Sequence, residues 1–274
     1  MFAAKGRPTD NPLIVHLADA TELPRVVARS TPLARRLAAS FWPGPLTLVL
    51  AAADTVPAAT TGGLATVAVR VPDHPVAAAL LALADLPIAA PSANRSGRPS
   101  PTTAEHVVAD LGAEVDVILD GGPCPVGVES TVVDARGQRP VVLREGTITR
   151  EDLGLCTVGS EPVPTAELAA SPGTRYRHYA PRCVLELARP GDGPAHARRL
   201  AATGARVGLV AADPAPVGVV PIATVHDVPQ LAQRLYAALR DAELAGVDVL
   251  VVESVPEVGL GRAVMDRLRR AAGR

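Results

Sequence analysis

Short runs of Val, Ile, Leu and Thr, bounded by Gly, Pro and Asn, alternate along this chain with Ala- and Leu-rich stretches that start beside helix-capping signals. Interleaved strands and helices restrict the fold to the α/β class. Strands are expected at 12–17, 46–51, 66–71, 87–90, 116–119, 131–134 and 141–144, where Val/Ile/Leu content is high and the flanks are turn-rich. Helices are expected at 32–40, 75–84 and 103–111, introduced by Thr31-Pro32, His74-Pro75 and Thr102-Thr103 with Glu105. Between 154 and 181 the periodicity dissolves into turn chemistry such as Ser171-Pro172-Gly173. Beyond it the pattern resumes as strand 183–188, helix 194–202, strands 206–211 and 217–222, helix 228–244, strand 247–252 and helix 261–272. That β-α-β order predicts a small parallel, Rossmann-like sheet. The expected organisation is therefore a first domain at 1–155, a linker or lid at 156–182 and a second domain at 183–274, within the 274 residues.

Aromatics make up only 2% of the chain, so both cores must be built from Val, Leu, Ala and Ile. The scarcity weighs against base stacking on an aromatic platform, and a net charge of −1 weighs against an electrostatic nucleic-acid binder. Cys124, Cys156 and Cys183 show no metal-ligand spacing. No signal segment or membrane span is evident, so a reduced cytoplasmic protein is expected, with no metal site and no membrane. No GxGxxG or GxxxxGK[ST] is present, so the Rossmann-like half supplies no nucleotide site by motif.

Chemistry-bearing residues gather instead at strand ends, where open α/β sheets bind ligands. The stretch from Ala90 to Thr103 (APSANRSGRPSPTT) joins a strand to a helix and offers hydroxyls, backbone N–H groups and a positive helix end to an anion. Arg95 and Arg98 in that loop strengthen the case for an anionic ligand. Arg70 closes one strand, where it can hold a carboxylate bidentately. Ser130 opens another, and Arg144-Glu145-Gly146 closes a third. Each could equally be a turn, a cap or a surface ion pair; their shared location is what carries the reading. No nucleophile–base arrangement emerges, and His16, His74 and His106 lie on different elements. Lys, Arg, Ser, Thr and Asn with few bases suit a reaction driven by positioning and charge neutralisation, as in nucleotidyl transfer from ATP. Lys5 is the one lysine among 27 Lys and Arg residues. A chain that uses Arg wherever a generic charge suffices points to a need there for a compact ammonium.

The segments KGRP with NPL.VH, Trp42-Pro43-Gly44-Pro45-Leu46-Thr47, VAVRVPDHP, APSANRSGRPSPTTA, ESTVVD and LREG resemble the YrdC/Sua5 family. The stretch SPGTRYRHYAP and the closing GLGRAVMDRL resemble its two-domain Sua5 branch, so the likeness spans the chain. It implies a YrdC-like twisted mixed sheet with helices, followed by the small C-terminal domain. It further implies an L-threonylcarbamoyladenylate synthase that joins L-threonine, bicarbonate and ATP, with Mg2+ accompanying the ATP and no tightly bound cofactor. The product would feed a downstream threonylcarbamoyl transferase complex that modifies adenosine-37 of tRNA. By matching positions, Lys5 and Arg7 meet the ATP phosphates, and Asn11, Thr66, Asn94, Thr102, Arg144 and Tyr179 line the nucleotide. His16, Arg70, Ser92 and Ser130 face threonine, with Arg70 on its carboxylate, while Tyr176 and His178 close over the site as a lid.

The family pattern carries about fifty residues ahead of KGRP, including a Thr-x-Thr-x-Tyr-Gly-Leu segment, so an upstream extension is expected. Three alternatives stand beside the synthase: an inactive truncated paralogue, a double-stranded RNA-binding YrdC-like protein with an RNA contact, and a carbamoyl-transfer module of the hydrogenase-maturation type. The last would bring acylphosphatase and zinc-finger segments, which this chain does not contain. If Lys5 serves as a point charge, Lys5→Arg lowers threonine-dependent pyrophosphate release at least about tenfold although the charge is kept; unchanged turnover would remove that role.

Overall fold

The computed structural model describes residues 1–155 and 179–273. They form two compact units interleaved in sequence, one from 1–92 with 129–155, the other from 93–128 with 179–273.

In the first unit seven strands make one mixed sheet: β1 Ile14–His16, β2 Val27–Arg29, β3 Leu46–Ala52, β4 Thr66–Arg70, β5 Ile88–Ala90, β6 Thr131–Asp134 and β7 Val141–Arg144. Their order is β5-β1-β4-β3-β6-β7, with β2 on β3. β1 is parallel to β4 and β3 to β6, whereas β1–β5, β3–β4 and β6–β7 are antiparallel. The pleat sends Val15, Leu46, Leu48, Leu50, Val67, Val69 and Val133 to one face. There they meet Leu33, Ala34 and Leu37 of helix α2, Pro32–Phe41. Thr31 caps α2, accepting from Ala34 N–H at 3.0 Å while its hydroxyl donates to Ala135 O at 2.7 Å. The opposite face has a smaller apolar centre of Val49, Ala68 and Val132. Period two then puts Thr66, Arg70, His16 and Thr47 on that same second face.

The second unit carries helix α5, Ala104–Leu111, together with the later half of the chain. β8 Val184–Ala188, β9 Val207–Ala211, β10 Val220–Thr224 and β11 Val249–Glu253 form an all-parallel sheet ordered β10-β9-β11-β8. Helix α6, Gly193–Ala201, packs Ala197 on one face with Val207, Leu209 and Val251. Helices α7, Val228–Leu244, and α8, Leu260–Ala271, cover the other with Leu231, Leu235, Val264 and Leu268. The expected small parallel Rossmann-like sheet is therefore present.

Two expectations are corrected. Residues 116–119 form no strand: Val117 and Leu119 are exposed, and a strand without a partner edge has no ladder to join. β10 begins later than residue 217, because Val217 is fully exposed and Gly218 turns the chain at φ 87°. Four short elements were not anticipated: helices α1, Phe2–Lys5, and α3, Ala58–Thr61, the 3-10 turn Ala20–Arg25, and β2. Each is too short to display a period. The stretch read as a linker, Tyr176 and His178 included, lies largely outside the described residues. No described helix is long and apolar enough to cross a membrane; helix α4, Pro75–Ala84, ends at the turn residue Asp85.

Gly127 fixes how segment 93–128 meets α7. Its φ is +79°, and a Cβ there would lie 2.3 Å from Ala232 O and 2.5 Å from the Gln233 backbone. Gly127→Ala is expected to destabilise the protein by about 3 kcal/mol, combining left-handed strain with overpacking; denaturant unfolding measures it.

Candidate active site

Five polar residues converge where β1, β4 and β7 end and β3 and β6 begin. Parallel register sets His16 beside Arg70 at the ends of β1 and β4. Arg70 donates from Nε to Gly44 O at 2.9 Å. Gly44 is itself held, its N–H bonding Val71 O at 2.9 Å, while Trp42 Nε1 donates to Leu46 O at 2.7 Å. Arg144 donates to Ser130 O through Nε at 3.2 Å and NH2 at 2.8 Å, and to Ser130 Oγ at 3.1 Å. The Ser130 and Thr47 hydroxyls are 2.8 Å apart. Gly146 permits this fold-back, since a Cβ there would meet Thr131 N at 2.4 Å and Glu129 O at 2.5 Å.

This corner is cationic. Burial, then the repulsion of Arg144, lowers the Arg70 pKa, with Asp73 acting in the opposite sense. Burial and the neighbouring Arg70 hold His16 down to about 4, despite backbone hydrogen bonds at Ile88 and Ile14. At neutral pH the imidazole is uncharged and the guanidiniums are not. Arg70 thus offers charge to a small anion such as a carboxylate.

A second group lies toward the other end of β1 and β4. Arg7 donates from NH2 to Pro12 O at 2.8 Å and Asn11 O at 3.5 Å, its Nε is buried without a hydrogen-bond partner, and desolvation lowers its pKa. Asn11 is fully buried. The Lys5 ammonium donates to the Ser92 carbonyl, tying α1 to the loop after β5. Thr66 opens β4, four residues from Arg70, about 13 Å at the usual strand rise. Lys5, Arg7, Asn11, His16, Thr66, Arg70, Ser92, Ser130 and Arg144 all belong to the first unit.

Asn94, Thr102 and Tyr179 belong to the second unit. Asn94 Nδ2 closes its own loop on Arg95 O at 2.8 Å and Arg98 O at 3.0 Å. Thr102 N–H donates to His106 Nδ1 at 3.2 Å. Tyr179, at φ 66°, is buried with its ring 5.2 Å from that of Tyr236 and beneath the Arg267 guanidinium at 5.9 Å. The arginines of this loop do not stand ready for an anion as expected: Arg98 pairs with Asp110 at 2.9 Å and with Glu243, and Arg95 pairs with Glu114 at 3.7 Å. Gly44 and Thr47 were missed as site builders, though both stand in the WPGPLT segment. Among the described residues no group of three His, Cys, Asp or Glu could hold a metal ion.

A family model described as telomere recombination, covering Sua5, YciO and YrdC, matches residues 1–146. A second, described as the C-terminal domain of threonylcarbamoyl-AMP synthase, matches residues 148–273. The chain belongs to the Sua5/YrdC family. It is 43% identical over 286 residues to a threonylcarbamoyl-AMP synthase of Pyrococcus abyssi, covering 100% of this chain and 83% of that protein. A Bacillus subtilis protein of the same name is 42% identical over 295 residues, covering 100% and 82%. The crystal structure of P. abyssi Sua5 complexed with L-threonine superposes with a TM-score of 0.89 at 41% identity, covering 99% of this chain and 83% of that one. The match supports the two-domain Sua5 branch.

His16 generates a pH prediction. Its folded pKa of about 4 lies below the ordinary 6.5, so between those values the unfolded chain binds more protons. Stability therefore falls as pH drops from 6.5 toward 4, by at most about 3 kcal/mol from this group. Melting of His16→Gln is expected to vary less steeply over that range; an unaltered slope would assign the acid sensitivity elsewhere.

Proposed function

We propose that this chain forms L-threonylcarbamoyl-AMP and pyrophosphate from L-threonine, bicarbonate and ATP. The observation that carries this reading is half-buried Arg70, held by the Gly44 carbonyl, with neutral His16 beside it and the charge of Arg144 near. A small amino acid fits that corner through its carboxylate, and the names and the L-threonine complex of the relatives supply the substrate class.

In this reading Arg70 holds the threonine carboxylate and His16 and Ser130 face the same substrate, while Ser92, expected to do so too, stands with Lys5 toward the other end of β1. The threonine amine attacks the bicarbonate carbon, a C–N bond forms, and water leaves to give N-carboxy-threonine. A carbamate oxygen then attacks the α-phosphorus of ATP, the bond to the β-phosphate bridging oxygen breaks, and pyrophosphate departs. Arg7 and Lys5 neutralise the phosphates. Asn11, Thr66, Asn94, Thr102, Arg144 and Tyr179 bound the nucleotide, and Tyr176 with His178 shields intermediates that water would destroy. Mg2+ would ride on the phosphate oxygens, since the described residues build no acidic cage for it. The product passes to a threonylcarbamoyl transferase acting on tRNA, which places the reaction in the cytoplasm.

The test is pyrophosphate release with ATP and bicarbonate, with and without threonine. Release is expected to require threonine, and Arg70→Met is expected to raise the KM for threonine about 100-fold, as the loss of a charged hydrogen-bonded pair implies. Threonine-independent release, or none at all, overturns the assignment.

A further inference from the structure

The loop carrying Asn94 and Thr102 is fastened at one buried carboxylate. Asp110, on α5 with a fully buried side chain, accepts from Arg240 at 2.8 and 3.4 Å, from Arg98 at 2.9 Å and from the Arg95 N–H at 3.4 Å. Arg240 also donates from NH2 to Pro99 O at 2.6 Å. Arg98 reaches on to Glu243, one turn along α7 from Arg240, and Glu243 Oε1 accepts from the Arg182 N–H at 2.9 Å. Within this unit, two residues of α7 therefore grip the loop directly at Pro99 and through Asp110 at Arg95 and Arg98.

We infer that Arg240 is a positioning residue for the nucleotide half of the site: a side chain in the C-terminal family region that sets the course of the 94–102 loop. The inference rests on the proposed function insofar as Asn94 and Thr102 are taken as nucleotide contacts. The chain of contact is continuous. Arg240 fixes Pro99 and Asp110, Asp110 fixes Arg95 and Arg98, and Asn94 Nδ2 closes on the carbonyls of Arg95 and Arg98. A second link runs to Thr102. His106 is held below its ordinary pKa by burial and by the Arg240 charge, against Asp241, Glu105 and Asp110. Its neutral Nδ1 can then accept the Thr102 N–H. A planar fork is required, because one group must serve a carboxylate and a carbonyl together. Deleting it leaves the buried Asp110 with Arg98 and the Arg95 N–H.

Arg240→Met and Arg240→Lys test the role; the lysine variant keeps a charge for Asp110 but cannot span to Pro99, and it carries the test if the methionine variant does not fold. Both are expected to raise the KM for ATP about tenfold. The KM for threonine stays within about twofold, and amides 95–99 exchange hydrogen faster. Unchanged exchange at 95–99 with an unchanged KM for ATP overturns the inference. So does a parallel rise of both KM values with a lowered melting temperature in both variants, the signature of general destabilisation. If the parent protein shows no threonine-dependent pyrophosphate release, the proposed function falls. Exchange at 95–99 and binding of a non-hydrolysable ATP analogue by the full chain then decide the positioning role alone.

Discussion

Much of this structure turns on what holds each buried cation. Arg7, Arg70 and Lys5 donate to backbone carbonyls, at Pro12, Gly44 and Ser92, and Arg144 does so at Ser130. A carbonyl orients a guanidinium or ammonium without cancelling its charge, whereas a carboxylate cancels it. Arg98 and Arg240 are held the second way, by Asp110 and Glu243. Carbonyls thus orient Arg7 and Arg70 in the first unit, whereas carboxylates set Arg98 and Arg240 to internal order in the second. The cost of burying like charges is visible where Arg144 lowers the pKa of Arg70. Backbone that supplies those carbonyls must be rigid, and the strand ends and the pinned 42–46 turn provide that rigidity.

How far the residues announced this can be judged element by element. β3 and α7 were legible because five or more consecutive residues carried one pattern, buried runs in β3 and a 3.6 period in α7. The place of Arg70, Ser130 and Arg144 at strand ends was legible because polar residues there break an otherwise apolar run. What sequence could not reveal was which cation would be neutralised. Arg98 in a Ser- and Gly-rich loop reads like an anion receptor until Asp110 and Glu243, 12 and 145 residues away, are seen beside it. Residues 116–119 misled for a related reason: Val, Ile and Leu between turn-rich flanks propose a strand, but only a partner edge makes one.

The family boundary and the packing boundary also part company. The two family matches meet between residues 146 and 148, while segment 93–128 is packed into the unit that holds α7. Gly127 against Ala232 and Asp110 against Arg240 are the two ends of that docking. Residues read as contacts for one nucleotide, Arg7 and Asn94 among them, therefore belong to different compact units. The C-terminal region is accordingly more than an appendage, because Arg240 and Glu243 hold the loop that follows Ser92.

The electrostatics bear on the chemistry proposed for threonine. A free amine, not an ammonium, must attack bicarbonate, and a cluster of positive charge raises the cost of protonating an amine placed beside it. Arg70 would thereby bind the carboxylate, and its charge with that of Arg144 would favour the reactive form of the amine. His16, held near 4, is too weak a base to strip that proton at neutral pH. The ammonium proton passes to solvent as the amine binds; the neutral amine then condenses with bicarbonate, one N–H proton leaves with the bicarbonate hydroxyl as water, and the carbamate emerges already anionic. A site rich in carbonyl-held cations and poor in bases is the one this step requires.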